Sequence, residues 1–118
     1  AGLDLYACED YTLQPGERHG CGLGFAMALP EGYVALVWDR GGMAAKHGIH
    51  TLAGVVDSNY RGEVTVILLN TTQEPYQIKP GDRIAQMVVQ QHATVEFECV
   101  DELSDTERGD SAWLSSGK

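Results

Sequence analysis

Short apolar runs, separated by turn-forming residues, recur along the first hundred positions of the chain. In the first run, Leu3, Leu5 and Ala7 alternate with other positions, and this period of two predicts a short strand. A helical stretch is predicted at 43–47, and turns are predicted at 14–17 and 79–82. Further strands are predicted at 22–29, 33–39, 64–70, 76–78, 84–91 and 94–100. Short strands at this spacing predict an all-β fold, a jelly-roll-like β-sandwich with one short helical turn.

The segment 52–64, LAGVVDSNYRGEV, places an acid and an aromatic ring close together. Its apolar run ends at Asp57, turn-forming residues follow, and valines on both sides predict the two arms of a β-hairpin. Gly54 would let a ligand approach the backbone. Taken alone, the segment is more typical of an acid that caps a turn and of a Tyr60 that only packs.

Composition narrows the class of protein. The 118 residues are 43% apolar and 21% charged, which predicts one globular domain. A net charge of −9 disfavours nucleic-acid binding. No apolar run approaches membrane-spanning length and no signal peptide is visible, so neither a membrane nor secretion is expected. Cys8, Cys21 and Cys99 are odd in number and lack C-x-x-C spacing, so the sequence indicates neither a disulfide framework nor a zinc site, and a reducing compartment fits best.

Positive charge is concentrated beside glycine-rich turns. The segment Arg40-Gly41-Gly42 precedes the predicted helical stretch, and free backbone N–H groups there could cradle a phosphate. The alternative is that the glycines serve only the corner. Five of the eight basic residues lie in or beside such turns, which suits a small polyanion. They are Arg40, Lys46, Arg61, Arg83 and Arg108.

The composition changes near residue 100. We expect a β domain at 1–100 and, at 101–118, an acidic linker that continues as a mobile C-terminal arm. Arg108, Trp113, Ser115 and Ser116 on this arm could close over a nucleotide by stacking on its base and binding its phosphates. The alternative is a loose end whose tryptophan packs on the domain.

Five segments resemble, in order, the five motifs of the homotrimeric dUTP pyrophosphatases (dUTPases). They are AGLDLYA from Ala1, DRGGMAAKHGI from Asp39, LAGVVDSNYRGEV from Leu52, PGDRIAQMV from Pro80 and RGDSAWLSSG from Arg108. The resemblance spans the whole chain, and the third and fourth motifs are highly specific. It implies hydrolysis of dUTP to dUMP and pyrophosphate by water that attacks the α-phosphorus.

The resemblance also implies roles for the third motif. Asp57 would be the general base, a role worth about 10²- to 10⁴-fold. Tyr60 would lie against the deoxyribose and exclude a 2′-hydroxyl. The backbone of Gly54, Val55 and Val56 would read uracil.

By the same resemblance, other motifs would hold phosphates from neighbouring subunits of a homotrimer. Arg40, Gly42 and Gln86 would bind phosphate, and Arg108 with the closing arm would neutralise the γ-phosphate end. Asp4 and Asp82 would be structural, with Asp82 steadying an arginine. Mg²⁺ would be held by the nucleotide and waters with no protein ligand. The implied location is cytoplasmic, or also nuclear in a eukaryote.

Two departures from the family pattern favour an alternative. Gly41 stands where the family has a serine, and side chains at 111, 112 and 114 replace glycines of the fifth motif. The alternative is a dUTPase-fold regulator that binds a nucleotide or a protein and has reduced catalysis. Cytosine deamination on the related deaminase fold is disfavoured, because the second motif lacks that branch's arginine- and serine-rich sequence.

Overall fold

A computed structural model of the protein describes residues 1–112. Antiparallel strands dominate this part of the chain, and a single short helix interrupts them, as expected for a jelly-roll-like β fold. The elements in chain order are β1 Leu3–Tyr6, β2 Tyr11–Leu13, β3 Arg18–Gly22, β4 Tyr33–Trp38, α1 Gly41–His47, β5 Ile49–Leu52, β6 Val55–Asp57, β7 Thr65–Asn70, β8 Tyr76–Ile78 and β9 Arg83–Gln91. Among the described residues, no helix is long and apolar enough to cross a bilayer.

The strands form three antiparallel sheets. One has the order β1-β9-β4-β6, a second the order β3-β7-β5, and β2 pairs with β8. Neighbours within a sheet are distant in sequence, as Leu3 opposite Met87 and Val34 opposite Asp57 illustrate. Strand partners therefore bring separate parts of the sequence to common edges.

The core lies between the two larger sheets. Alternate residues of β4 and β9, including Val37 and Met87, are buried on one side. Cys21, Val66 and Leu68 are buried from the other sheet, and all five belong to one apolar cluster. This period-two burial explains why most strands could be located from their apolar alternation.

The helix begins two residues before the predicted stretch, at Gly41, and ends at His47, with Gly48 as its C-cap. Gly48 adopts a left-handed φ of 61° and donates its N–H to the carbonyl of Ala44 at 3.1 Å, so it closes the helix as a C-terminal glycine commonly does. Met43 is the residue of the helix that is buried in the core.

The predicted strand at 22–29 is wrong. The strand there is β3, which ends at Gly22, because Gly24 has a φ of +79° and turns the chain out of the ladder. Beyond β3, two hydrogen bonds link this segment to Val64, just before β7. Leu23 N donates to the carbonyl of Val64, and Val64 N donates to that of Phe25.

The predicted hairpin at 52–64 is also wrong. β6 pairs with β4, whereas β7 pairs with β3 and β5 in the other sheet. The valines on the two sides of Asp57 therefore belong to different sheets. Burial of Val64, which is 1% exposed, draws the returning chain into the core and away from β6.

The last predicted strand, at 94–100, does not form. Val95 and Phe97 alternate as expected for a strand, but they are 70% and 98% exposed. A strand needs a partner for its backbone groups, and none of the described residues pairs with this segment.

Candidate functional site

The corner that follows β6 holds the predicted base and the predicted aromatic ring. Asp57 is the last residue of β6, and its carbonyl accepts a hydrogen bond from Tyr60 N at 3.1 Å. The Tyr60 hydroxyl donates to the carbonyl of Glu63 at 2.9 Å, so the ring is fixed across the corner. Gly62 lies beneath it, and a Cβ there would collide with the tyrosine hydroxyl unless the ring moved. The corner thus presents an exposed carboxylate beside an anchored ring.

A pocket of about 220 Å³ lies beside this corner. Five predicted site residues line it together: Gly54, Val55, Val56, Asp57 and Tyr60. The other lining residues were not predicted as site residues. They are Leu52, Ala53, Val64, Thr65 and Ile67.

The backbone at Gly54 is shaped by protein packing. Gly54 has a φ of 115°, and a Cβ at this position would lie 2.8 Å from the carbonyl oxygen of Val37. Its own carbonyl accepts the N–H of Val37 at 2.9 Å. The glycine is therefore needed for the close approach of β4, and its role in the approach of a ligand stays a prediction.

A second group of predicted residues surrounds Asp4. Its Oδ1 lies 3.6 Å from Arg40 Nε, and its Oδ2 lies 3.8 Å from Arg83 Nη1. The prediction that Asp82 steadies an arginine is wrong, because Asp82 Oδ2 accepts the backbone N–H of Lys79 at 2.9 Å. Asp4 orients the arginines weakly, as expected for partly exposed ion pairs.

Gln86 connects this group to the end of β4. It lies opposite Asp4 on one side and opposite Trp38 on the other. Its Nε2 donates to the carbonyl of Asp39 at 2.8 Å, directly before Arg40. Two of the predicted phosphate-binding residues are therefore linked through the β4–α1 junction.

Asp39 was missed by sequence reasoning and anchors that junction. Its Oδ1 accepts both the backbone N–H and the hydroxyl of Thr51 at 2.6 Å, and its Oδ2 lies 2.7 Å from His50 Nδ1. Burial alone would raise the Asp39 pKa, but the hydrogen bonds from Thr51 and His50 lower it overall. The only sequence signal was an acid immediately before Arg40. The contacts depend on the tertiary packing of the end of β4 against β5, which belongs to the other sheet.

Gly41 and Gly42 begin α1 in open space. A Cβ added to either would meet nothing within 4 Å, and neither residue has a left-handed φ. Neither packing nor backbone angle therefore requires glycine here. Arg40, at the N-cap, makes no side-chain cap; among residues 1–112 its guanidinium pairs with Asp4 and donates to the carbonyl of Arg83 at 3.5 Å.

The two groups do not share one pocket. Arg40, Gly41, Gly42 and Gln86 are absent from the walls of the pocket at Asp57. Arg108 is exposed on the arm and donates its Nε–H to the carbonyl of Ser111 at 2.7 Å. The remaining predicted residues, Trp113, Ser115 and Ser116, lie outside the described residues.

Comparison with known proteins identifies relatives along the whole chain. A family model described as dUTPase matches residues 1–117. The deoxyuridine 5′-triphosphate nucleotidohydrolase of Corynebacterium glutamicum is 48% identical over 121 residues, which cover all of this chain and 81% of that protein. The enzyme of the same name from Leifsonia xyli is 49% identical over 120 residues, which cover 99% and 79%.

Solved structures show the same fold. A dUTPase mutant of Staphylococcus bacteriophage 80alpha, solved with dUpNHpp, superposes with a TM-score of 0.92 at 29% identity and covers all of this chain and 86% of that one. A dUTPase mutant of phage phi11, described with a structural Mg(II) ion, gives a TM-score of 0.82 at 27% identity, covering 89% and 86%.

Proposed function

The chain belongs to the dUTPase family, and we propose that it hydrolyses dUTP to dUMP and pyrophosphate at the pocket beside Asp57. The observation that carries this proposal is the meeting of Asp57, Tyr60 and the backbone of residues 54–56 around one cavity. A carboxylate, an aromatic ring and an edge of strand backbone are the groups needed for a base, a sugar contact and uracil recognition.

Uracil recognition would use the free edge of β6. This strand has β4 on one side and no strand partner among the described residues on the other. The backbone groups of β6 that point to that side can pair with the edge of a pyrimidine much as they would pair with another strand. The anchored ring of Tyr60 would then lie against the sugar and leave no room for a 2′-hydroxyl.

Asp57 would act on the water that attacks the α-phosphorus. Its carboxylate is exposed at the end of β6, so a water can lie within hydrogen-bond reach of it. As the oxygen bonds to phosphorus, its proton passes to Asp57 and pyrophosphate departs. Little other covalent chemistry is asked of the protein, so positioning and charge stabilisation supply the rest.

The phosphates would be held by a neighbouring subunit. Arg40, Gly41, Gly42 and Gln86 do not line the pocket at Asp57 of their own chain, so a complete site needs two copies. This requirement supports a homotrimer with three sites at subunit borders. Arg108 and the arm with Trp113, Ser115 and Ser116 would close over the γ-phosphate.

The exposed segment after β9 also supports assembly. Its apolar side chains face solvent in the single chain, which is costly in water and leaves backbone groups open to pairing with another subunit. These side chains are Val95, Phe97, Val100 and Leu103.

Magnesium would be held by the triphosphate and waters. Asp57 is the only carboxylate in the pocket wall, and Asp4 already faces two arginines, so the described residues offer no all-protein cage. This donor set fits an ion that keeps its waters and binds substrate phosphates. When bound, the ion offsets charge on the triphosphate.

Replacing the base tests the proposal directly. Asp57→Asn keeps the shape of the side chain and removes the proton acceptor, so kcat for pyrophosphate release should fall at least about 10²-fold while nucleotide affinity changes less than about tenfold. Asp10→Asn, an exposed acid that does not line that pocket, is the matched control and should keep parent activity. Parent turnover should favour dUTP over UTP, dCTP and dTTP.

The competing hypothesis is a regulator that binds nucleotide or protein with reduced turnover, and Gly41 favours it. The same assay separates the two functions. Tight binding of dUTP without pyrophosphate release by the parent chain would support the regulator and contradict the enzyme.

A further inference from the structure

Three metal-binding side chains meet away from the Asp57 pocket. They are Glu9, His19 and Cys21, and their ligand atoms all lie within 4.8 Å of one another. His19 and Cys21 are two apart on β3, so both project from the same face of that strand. Glu9 reaches them from the loop between β1 and β2.

The imidazole is already fixed in place. The ring of His19 stacks on Tyr11 with a centroid distance of 3.6 Å and an interplanar angle of 6°. The Tyr11 hydroxyl is held in turn by Glu17. His19 Nε2 lies 2.8 Å from Glu9 Oε1, so one ring nitrogen points at the carboxylate. An ion at this place would therefore find two oriented ligands.

A divalent ion would also change the charge balance of the cluster. Burial, and after it the negative charge of Glu9, raise the pKa of the Cys21 thiol to about 11. A divalent ion would reverse both effects, because it stabilises the thiolate and neutralises the carboxylate. Glu9 and His19 are only partly buried, so an ion can enter from their side.

We propose that Glu9, His19 and Cys21 form a binding site for a zinc-class divalent cation. Thiolate, imidazole and carboxylate together are ligands typical of zinc, whereas magnesium prefers oxygen alone. Bonds of about 2.0 to 2.3 Å place tetrahedral ligands roughly 3.5 Å apart. The His19–Glu9 pair at 2.8 Å would open, and ligand atoms up to 4.8 Å apart would close, with movements of about 1 Å. Binding breaks the S–H bond of Cys21, releases the proton to solvent and forms the sulfur–metal bond.

The ion would join the β1–β2 loop to β3. Its fourth position would be taken by water or by the thiol of Cys8, which lies in the same loop and donates to the carbonyl of Gly22 at 2.9 Å. The sequence carries no zinc motif because the ligands come from two elements with wide spacing. The role is structural and separate from the magnesium that accompanies the nucleotide.

Cobalt is the probe for this site, because a thiolate bound to Co²⁺ gives a charge-transfer absorption band. The full chain, without an affinity tag and after chelator treatment, is titrated with Co²⁺ in excess Mg²⁺. We expect one equivalent per chain to produce the band and Zn²⁺ to abolish it. Absence of a stoichiometric band would overturn the proposal.

Variants assign the ligands. Cys21→Ser should abolish the band, whereas Cys99→Ser, which removes an exposed thiol, should leave it unchanged. A band that survives in Cys21→Ser, or that depends on Cys8 alone, contradicts the assignment.

Because Cys21 is buried, its variant can fail to fold, and two partly exposed ligands provide the second test. Glu9→Gln and His19→Gln should each weaken zinc affinity at least about tenfold, while His92→Gln should not. Zinc should also raise the melting temperature of the parent and not that of His19→Gln. Equal zinc affinity in all of these proteins would exclude the site.

Discussion

At the scale of single residues, Gly41 is the position where the chain departs most informatively from its family. A side chain there meets nothing within 4 Å and requires no change of backbone region. A hydroxyl at 41 could donate to a phosphate oxygen whose charge grows in the transition state. Such a donor is worth about 2.7 to 4 kcal/mol in well-formed oxyanion sites, and less in a site adapted to glycine.

We therefore expect Gly41→Ser to raise kcat roughly tenfold, on the order of 1.4 kcal/mol, with little change in KM. Gly41→Ala is the matched control and should leave kcat unchanged, because the open space accepts a methyl group without strain. Steady-state kinetics on dUTP measure both. If serine and alanine lower kcat equally, the backbone needs glycine and the missing hydroxyl is not the defect.

At Gly54, in contrast to Gly41, we expect any side chain to be destabilising. Its φ of 115° and the 2.8 Å approach of a Cβ to Val37 O make Gly54→Ala destabilising by roughly 1 to 3 kcal/mol, with loss of activity as β6 shifts. Gly81→Ala controls for conformation alone, since Gly81 has a φ of +89° with open space around it. Denaturant unfolding compares the two. Equal losses would show that the clash with Val37 has no cost.

At the scale of elements, the β4–α1 junction depends on Asp39. Asp39→Asn keeps an acceptor for Thr51 but loses the charged contact with His50, so we expect a loss of about 1 kcal/mol at neutral pH. Because folding lowers the pKa of Asp39 below 3.8, this stability is present above that pH and is lost as the pH falls through the folded pKa.

The free energies of unfolding of parent and Asp39→Asn should therefore converge below about pH 3.8 and stay separated above it. Denaturant unfolding at several pH values measures the difference, and Asp10→Asn serves as the control. A difference that grows as the pH falls would contradict the assignment of the charge to Asp39.

Sequence periodicity located elements well where a strand has one buried face. The segments 33–39, 64–70, 76–78 and 84–91 match strands closely, since β-branched alternation depends only on local sequence. The partner of each strand in its sheet was harder to predict. The alternation around Phe97 resembles a strand but finds no neighbour, and β6 and β7 joined different sheets.

In the candidate site, too, some contacts could be predicted from the sequence and others could not. Residues 54–57 and Tyr60 are nearly contiguous, so a motif was enough to bring them together in one pocket. The contact of Asp39 with Thr51 and the ion pairs of Asp4 depend on tertiary pairing. A pattern along one strand does not contain that information.

At the scale of the whole molecule, the proposed site requires two copies of the chain. Phe97→Asp should therefore weaken the trimer and lower kcat/KM together, because it adds charge to an apolar side chain that is 98% exposed in the single chain. Thr94→Asp adds the same charge on the opposite side of the extended segment and is the control. Sedimentation measures assembly. A parent chain that is monomeric at micromolar concentration contradicts the arrangement.

Mixing two inactive variants tests the shared site more sharply. Asp57→Asn lacks the base and Arg40→Ala lacks a phosphate contact, so each homotrimer should be nearly inactive. After subunit exchange at equal amounts, a site is intact when one subunit supplies Asp57 and its neighbour supplies Arg40. Random assembly makes this about one site in four, so roughly a quarter of parent activity should return. If both residues served the same site from one chain, no mixture would recover activity, and the site would not lie between subunits.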